Sequence, residues 1–297
     1  MKLPIVFLGP AGATFSHDAY AKLAELFAAP TLGDAGVEIF PVSKNGDVVP
    51  TILERGGYGV IAMETKAEGR VAEPVESFIE LLTTCPGQCP LVVSGALQLQ
   101  LHFALMTRPD LGRESVVGVI AHPKALGVCR GNLKKAAWPT EESASNGQAA
   151  QAVASNDQYA KFAALGPKSA ATKYGLQIIE SAFEDETAVT TFFLLAPVSA
   201  PVTIGQSNRA LVVFRLPSHP GALVDSLEPF KDYGINMIQI HSVHTGNGQY
   251  DFGIQLECAQ TQLENFRQAI KLFSAIVGRS IIFGPFQVVC NVFEGND

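Results

Sequence analysis

The sequence predicts an α/β protein of two lobes around a cleft, followed by a smaller α/β domain. Three observations predict it. Short apolar runs alternate with helical segments through the first half of the chain, the pattern of a parallel sheet with helical crossovers. The run A-V-T-T-F-F-L-L-A-P (188–197) is too short for a helix and gives way to V-S-A-P-V-T-I-G-Q-S-N (198–208), a linker composition. Beyond it the elements read β-α-β-β-α-β. A length of 297 residues suits about two domains, and 47% hydrophobic against 16% charged residues describes a chain that folds around cores.

The first lobe opens with a strand over residues 3–8, the turn G-P-A-G-A-T-F-S-H, and a helix to about residue 28. Thr14 and Ser16 are its N-cap candidates. A glycine-rich turn between strand and helix is either a plain capped turn or an anion cradle of backbone N–H groups and helix dipole. V-E-I-F-P-V (37–42) is a second strand, residues 45–55 a short helix, and Y-G-V-I-A-M-E (58–64) a third strand. Glu64, Thr65 and Lys66 end that strand at the edge where α/β proteins bind ligands, although a lysine there also suits a solvated loop.

From Leu91 the pattern changes. G-A-L-Q-L-Q-L-H-F-A-L-M alternates apolar and polar residues, predicting a long strand with one exposed face. Residues 116–120 form another strand, and His122 with Pro123 opens a helix. His122 is a site candidate or a structural histidine. A helix from Asn146, a strand over F-A-A-L-G (162–166) and a helix ending at Gly175 complete the lobe. The second lobe, about residues 90–184, is thus inserted in the first, which closes at 197. Two such lobes resemble the bilobed binding-protein architecture, with ligand held in the cleft. Residues 209–297 have the element order of a ferredoxin-like domain, and Asn247-Gly248 is a hairpin signal.

Composition narrows the function. A net charge of −7 argues against an extended nucleic-acid surface but leaves an anionic small molecule open, since a local cluster of cations suffices. The apolar start stops at Gly9-Pro10, too soon for a signal peptide or membrane span. Cys85, Cys89, Cys129, Cys258 and Cys290, odd in number and without zinc-type spacing, read as reduced thiols of a cytoplasmic protein. Nothing indicates a metal or organic cofactor.

At its motifs the chain resembles the prephenate dehydratase family over essentially its full length, with a C-terminal ACT domain. G-P-A-G-A-T-F-S is similar to the family's glycine-rich opening, and E-T-K-A-E-G-R-V stands where the family has Glu-Asn-Ser followed by Gly-x-Val. A-H-P-K-A-L resembles Ser-His-Pro-Gln-Ala-Leu, and A-A-L-G-P-K-S-A-A-T-K-Y-G-L matches closely. D-E-T-A-V-T-T-F stands at Asn-x-Thr-Arg-Phe, and H-P-G-A-L-V matches the ACT Gly-Ala-Leu-Val motif. The resemblance implies a lyase converting prephenate to phenylpyruvate with loss of water and carbon dioxide. It makes Thr190 the catalytic donor to the departing hydroxyl. Thr14, Ser16, Glu64, Thr65, Lys66, His122, Thr191 and Phe192 become substrate-binding positions. A dicarboxylate needs cations and N–H donors, and a leaving hydroxyl needs a donor within hydrogen-bond reach.

The chain departs from the family at three places. Thr191 stands at the family arginine, Ala188 at the asparagine, and Thr65-Lys66 at Asn-Ser. We expect Lys66 to replace the arginine toward the substrate. A prephenate decarboxylase that retains the hydroxyl, or a non-catalytic small-molecule sensor, are the alternative readings. In the ACT domain, Gly221, Ala222, Leu223 and Ser242 are the expected effector positions. His241-Ser242-Val243-His244 replaces the Glu-Ser-Arg-Pro of phenylalanine-regulated members, which speaks against phenylalanine as ligand; the domain either binds another amino-acid effector or serves dimerisation alone. Such domains associate in pairs, implying a homodimer or dimer of dimers.

Overall fold

The computed structural model describes residues 2–65, 69–70, 72–246 and 249–292, with only the backbone described at 65, 69, 70, 72, 73, 291 and 292. In chain order the first lobe holds β1 (Leu3–Leu8), α1 (Phe15–Leu26), β2 (Val37–Val42), α2 (Val48–Arg55), β3 (Tyr58–Thr65), β4 (Gly69–Arg70), α3 (Ala72–Ile79), α4 (Leu81–Thr84) and β5 (Leu91–Leu101). The second holds β6 (Ala104–Thr107), β7 (Gly118–Ala121), α5 (Pro123–Val128), α6 (Arg130–Ala136), β8 (Thr140–Glu142), α7 (Asn146–Ser155), β9 (Phe162–Gly166), α8 (Lys168–Tyr174) and β10 (Gln177–Glu180). The chain returns through β11 (Ala188–Pro197). It finishes with β12 (Ser207–Arg215), α9 (Ala222–Asp232), β13 (Asn236–Gly246), β14 (Gln249–Ala259), α10 (Leu263–Ile276) and β15 (Arg279–Val292).

Two sheets result. The smaller, β10-β6-β9-β7-β8, is the second lobe. The larger runs β13-β14-β12-β15-β5-β11-β3-β1-β2, so the C-terminal βαββαβ unit and the first lobe share one sheet. The junction is β15: its first half pairs antiparallel with β12 and its second half pairs parallel with β5, Val288 opposite Ala96. The pairing with β12 reaches Gln287. Beyond it V-V-C-N-V carries the ladder from one domain into the other.

Strand alternation divides the cores. Phe7, Leu97, Leu99, Phe192 and Leu194 face α1 and the second lobe. Val6, Ile61, Val93, Phe193 and Leu195 face the other way, against α2, α3 and α4 and against Leu211, Val213, Phe283 and Phe286. The β12 residues between these, Ala210, Val212 and Phe214, pack under α9 and α10. Phe193 with Phe286 (ring centroids 4.9 Å apart) and Phe78 with Phe283 (5.0 Å) are edge-to-face pairs across the domain boundary. Each such pair adds about 1 kcal/mol to what its burial contributes.

Two expectations are corrected here. β5 has no exposed face: it lies between β11 and β15, with the C-terminal unit covering its second side, so even Gln98 is buried. The alternating run also breaks at His102-Phe103, where it passes to the second sheet as β6. The crossing segments therefore lie at 102–103 and near 181–187, and β5 belongs to the large sheet rather than to the inserted lobe. Residues 198–206 are held to the body, with Val198 N donating to Pro90 O and Thr203 N to Ser94 O. Asn247-Gly248 lies outside the described residues; the pair flanking it, Gly246 opposite Gln249, closes the ladder.

Candidate active site

A cleft of about 440 Å³ opens between the lobes at the carboxyl ends of β1 and β2. Its floor is β11. Thr190 and Phe192 are two apart, so both side chains face it, with Leu101, Phe103 and Phe15 as apolar wall. Three helices present their first turns to it. Thr14 caps α1, its Oγ1 accepting from His17 N at 3.3 Å while donating to Leu8 O at 2.8 Å. His122 caps α5, its Nδ1 accepting from Lys124 N at 3.2 Å. Ser145 caps α7, its Oγ accepting from Gln148 N at 3.1 Å. The last two are tied together, since Asn146 Oδ1 accepts from His122 N at 3.0 Å.

Cations come from both lobes. Lys44 and Lys124 line the cleft, with Ser43 and Asn45 beside the first. Asn45 is locked by pairing both its amide atoms with the backbone of Ala62, at 2.8 and 3.2 Å. Burial, and then the Lys124 charge, lower the His122 pKa from its ordinary 6.5. With Nδ1 accepting, the neutral ring carries its proton on Nε2. The site therefore offers hydroxyls, two ammonium groups, a neutral imidazole donor and helix N-termini around an apolar floor, the furniture for a ring bearing anionic groups.

The lobes also touch beside the cleft. Ser169 Oγ donates to Asp18 Oδ2 at 2.8 Å, and Lys173 Nζ donates to Ala11 O. Gly147 packs on Ala13 O and the Pro10 ring so closely that a Cβ would stand 2.7 Å from each. At the crossing, Glu184 accepts from Phe103 N at 2.9 Å and meets His102 Nδ1 at 2.8 Å. Asp185 accepts from Gly131 N and from Asn132 N, the latter at 2.8 Å.

A family model, prephenate dehydratase, matches residues 5–200. The chain belongs to the prephenate dehydratase family. Among curated relatives it is 30% identical to the prephenate dehydratase of Mycobacterium marinum, over 84% of this chain and 77% of that one. It is 27% identical to that of Methanocaldococcus jannaschii, over 78% and 84%. Among solved structures it is similar to prephenate dehydratase from Arthrobacter aurescens in complex with L-Phe. The TM-score is 0.76 at 22% identity, covering 96% of this chain and 90% of that one.

Of the positions singled out in the sequence, Thr14, Ser16, His122, Thr190 and Phe192 line the cleft. Glu64 and Thr191 do not. Position 191 is the odd residue between Thr190 and Phe192, so its side chain passes through to the other face of the sheet. There its Oγ1 donates to Glu64 Oε1 at 3.1 Å and accepts from Gln98 Nε2 at 3.4 Å. Glu64 is held in turn by Arg209 of β12, Nη1 to Oε1 at 2.8 Å. The side chain of Thr65, and Lys66 as a whole, lie outside the described residues. Sequence reading passed over Lys44, Asn45, Lys124, Ser145 and Asn146. The rule that singled out the ends of β1 and β3, applied to β2, points to Ser43-Lys44-Asn45. Ser145-Asn146 and Lys124 show only once the lobes face each other.

In the C-terminal unit a second concavity of about 550 Å³ is lined by Gly221, Ala222 and Leu223 together with His219, Tyr250 and Phe252. Gly221 takes φ 85° at the cap of α9, a left-handed conformation that suits glycine. Ser242 is exposed on β13, on the strand beyond β14, and is not part of this lining.

Proposed function

We propose that the cleft converts prephenate to phenylpyruvate, releasing water and carbon dioxide. The observation carrying this reading is a hydroxyl, Thr190, on the apolar floor of a cleft whose rim supplies cations and helix N-termini. As the ring carboxylate leaves as carbon dioxide, its C–C bonding pair enters the ring. The C–O bond of the ring hydroxyl breaks, and that oxygen takes a proton to leave as water. Thr190 Oγ1 is the donor to the departing oxygen. Lys44 and Lys124, from opposite lobes, hold the two carboxylates, and the rigid floor supplies orientation. Aromatisation provides the driving force, so a well-placed hydrogen bond and fixed charges suffice.

The support for Lys66 as a substitute for the family arginine weakens, because position 191 meets Glu64 rather than the cleft. The same geometry removes one reason for a sensor reading: an arginine lost from position 191 is not one lost from the substrate. Lys124, where the family motif has glutamine, is the cation the cleft gains.

The test follows two signals at once. Prephenate is incubated with wild type and with Thr190→Val while carbon dioxide release and phenylpyruvate absorbance are recorded. Wild type should give both signals in equal amounts, and Thr190→Val should lose roughly 10²- to 10⁴-fold in kcat, the range of one positioned proton donor. Carbon dioxide without phenylpyruvate would identify a decarboxylase, and neither signal would sink the reading.

The pocket at Gly221, Ala222 and Leu223 we assign to an amino-acid effector of an ACT domain. The α9 N-terminus would receive its carboxylate and Tyr250 and Phe252 its side chain. Association into a homodimer and a cytoplasmic location complete the reading. Among the described residues no helix is long and apolar enough to cross a membrane.

A further inference from the structure

The boundary between first lobe and C-terminal unit is mostly apolar; its polar contacts include His241 beside Glu76, Arg279 on the Cys85 carbonyl, and one placed directly behind the cleft floor. Arg209 is 8% exposed; its Nη1 donates to Glu64 Oε1 at 2.8 Å and its Nη2 reaches Glu257 Oε1 at 3.4 Å. The same Glu64 oxygen accepts from Thr191, which accepts from Gln98. Glu64, Thr191 and Gln98 sit directly opposite one another on β3, β11 and β5, so the chain of contacts runs straight across the three central strands.

We propose that Arg209 is a positioning residue for the cleft. It acts through Glu64 and Thr191 to fix β11 at the height and rotation that aim Thr190. Two features support this. The β11–β3 ladder has a bulge between Thr191 and Phe192, with Met63 unpaired, so on this side of β11 the regular pairing breaks after Thr191 and the Glu64–Thr191 contact is the last tie before the break, while the β5 side stays in register there. And the apolar boundary, with its aromatic pairs and the β15–β5 ladder, already joins the domains, so docking by itself does not call for the Arg209–Glu64 pair, whose desolvation is costly. An arginine at position 191 would meet Glu64 from inside the first lobe. Here the guanidinium arrives from the C-terminal unit, which makes the aim of Thr190 depend on how that unit is docked.

The inference rests on the reading of Thr190 as proton donor, and its test is built to separate the two. Arg209→Thr and the exchange Arg209→Thr with Thr191→Arg are compared with wild type. Kinetics use prephenate; hydrogen exchange of the amides of residues 188–193 needs no substrate. In Arg209→Thr, kcat should fall about 10- to 100-fold, the effect of roughly an ångström of misplacement, with KM within about twofold. The same amides should exchange faster. The exchange variant, which returns a guanidinium to Glu64 in the space the first change vacates, should regain most of kcat and the slow exchange. A folded Arg209→Thr with wild-type kcat overturns the proposal, as does an exchange variant that fails to fold or recovers neither signal. If wild type does not turn over prephenate, the prephenate reading fails alone. Faster exchange in Arg209→Thr reversed by the second change would still support the relay, and unchanged exchange would overturn it.

Discussion

Gly147 offers the sharpest mechanical prediction. It is the second residue of α7 and presses on the Pro10–Ala13 turn of the opposite lobe, where an added Cβ would lie 2.7 Å from Ala13 O and from Pro10 Cδ. Ordinary contact begins near 3.4 Å, so Gly147→Ala must drive the lobes apart by about 0.7 Å, because backbone cannot swing aside as a flexible side chain can. Overpacking costs about 1–3 kcal/mol, offset by the helix preference of alanine over glycine of up to about 1 kcal/mol. Net destabilisation should stay below about 3 kcal/mol. The catalytic effect should be much larger, because Lys124, His122 and Asn146 all ride on the displaced lobe. A misplacement near 1 Å reduces turnover by roughly 10²-fold, so kcat/KM should fall by one to two orders of magnitude while the melting temperature moves by a few degrees. Steady-state kinetics beside calorimetry measure both. Gly33→Ala, where no heavy atom lies within 4 Å of the new Cβ, is the control and should change neither. A folded Gly147→Ala enzyme with wild-type kcat/KM would refute the reasoning, since the lobe contact could not then belong to the working form.

Three further outcomes are expected. The His122 pKa is lowered below 6.5 in the folded protein, so below that pH the unfolded chain takes up a proton that the native one does not. Stability should be full above 6.5 and decline as pH falls, by at most about 1.4 kcal/mol per pH unit, until the folded pKa is reached. The gap in melting temperature between wild type and His122→Asn, whose amide can still cap α5, should be constant above 6.5 and change below it; parallel curves would contradict this. Glu184→Ala strips the acceptor from Phe103 N at the lobe crossing and should cost about 1–3 kcal/mol in urea unfolding, whereas Glu186→Ala at an exposed position should cost under about 0.5. Among the thiols, burial pushes Cys89 up to about 11 and Cys258 upward as well, while Cys290 is exposed. Alkylation at pH 8 with mass-spectrometric mapping should find Cys290 modified first and Cys89, Cys129 and Cys258 only after unfolding. Early modification of Cys129, which is fully buried, would contradict the packing.

Much of the architecture was legible because its signals are local. The strand–turn–helix opening, the His122-Pro123 cap, the Gly175 C-cap and the βαββαβ order each depend on a few neighbouring residues, and the structure has all of them. Thr190 and Phe192 could be placed on one face from their spacing, and that same spacing puts Thr191 on the other. The inference that position 191 had lost a substrate contact ignored this alternation, and it alone would have shown that a charge there meets the back of the sheet. The failure at β5 has another cause. Gln98 and Gln100 look solvent-facing by sequence, and nothing local announces that β11, β15 and the C-terminal unit will bury the first and half-cover the second.

By itself, then, the sequence determined the family, the order of elements and the residues at the ends of β1 and β11. These follow from turn chemistry, periodicity and motif order, which act over a few residues at a time. The tertiary structure alone decided three things. It joined two domains into one sheet through β15, brought Lys44 and Lys124 to one cleft from lobes about 80 residues apart in the chain, and set Arg209 behind Thr190. Each is a contact between distant segments, fixed by which faces bury against which, and no short stretch of sequence contains that information.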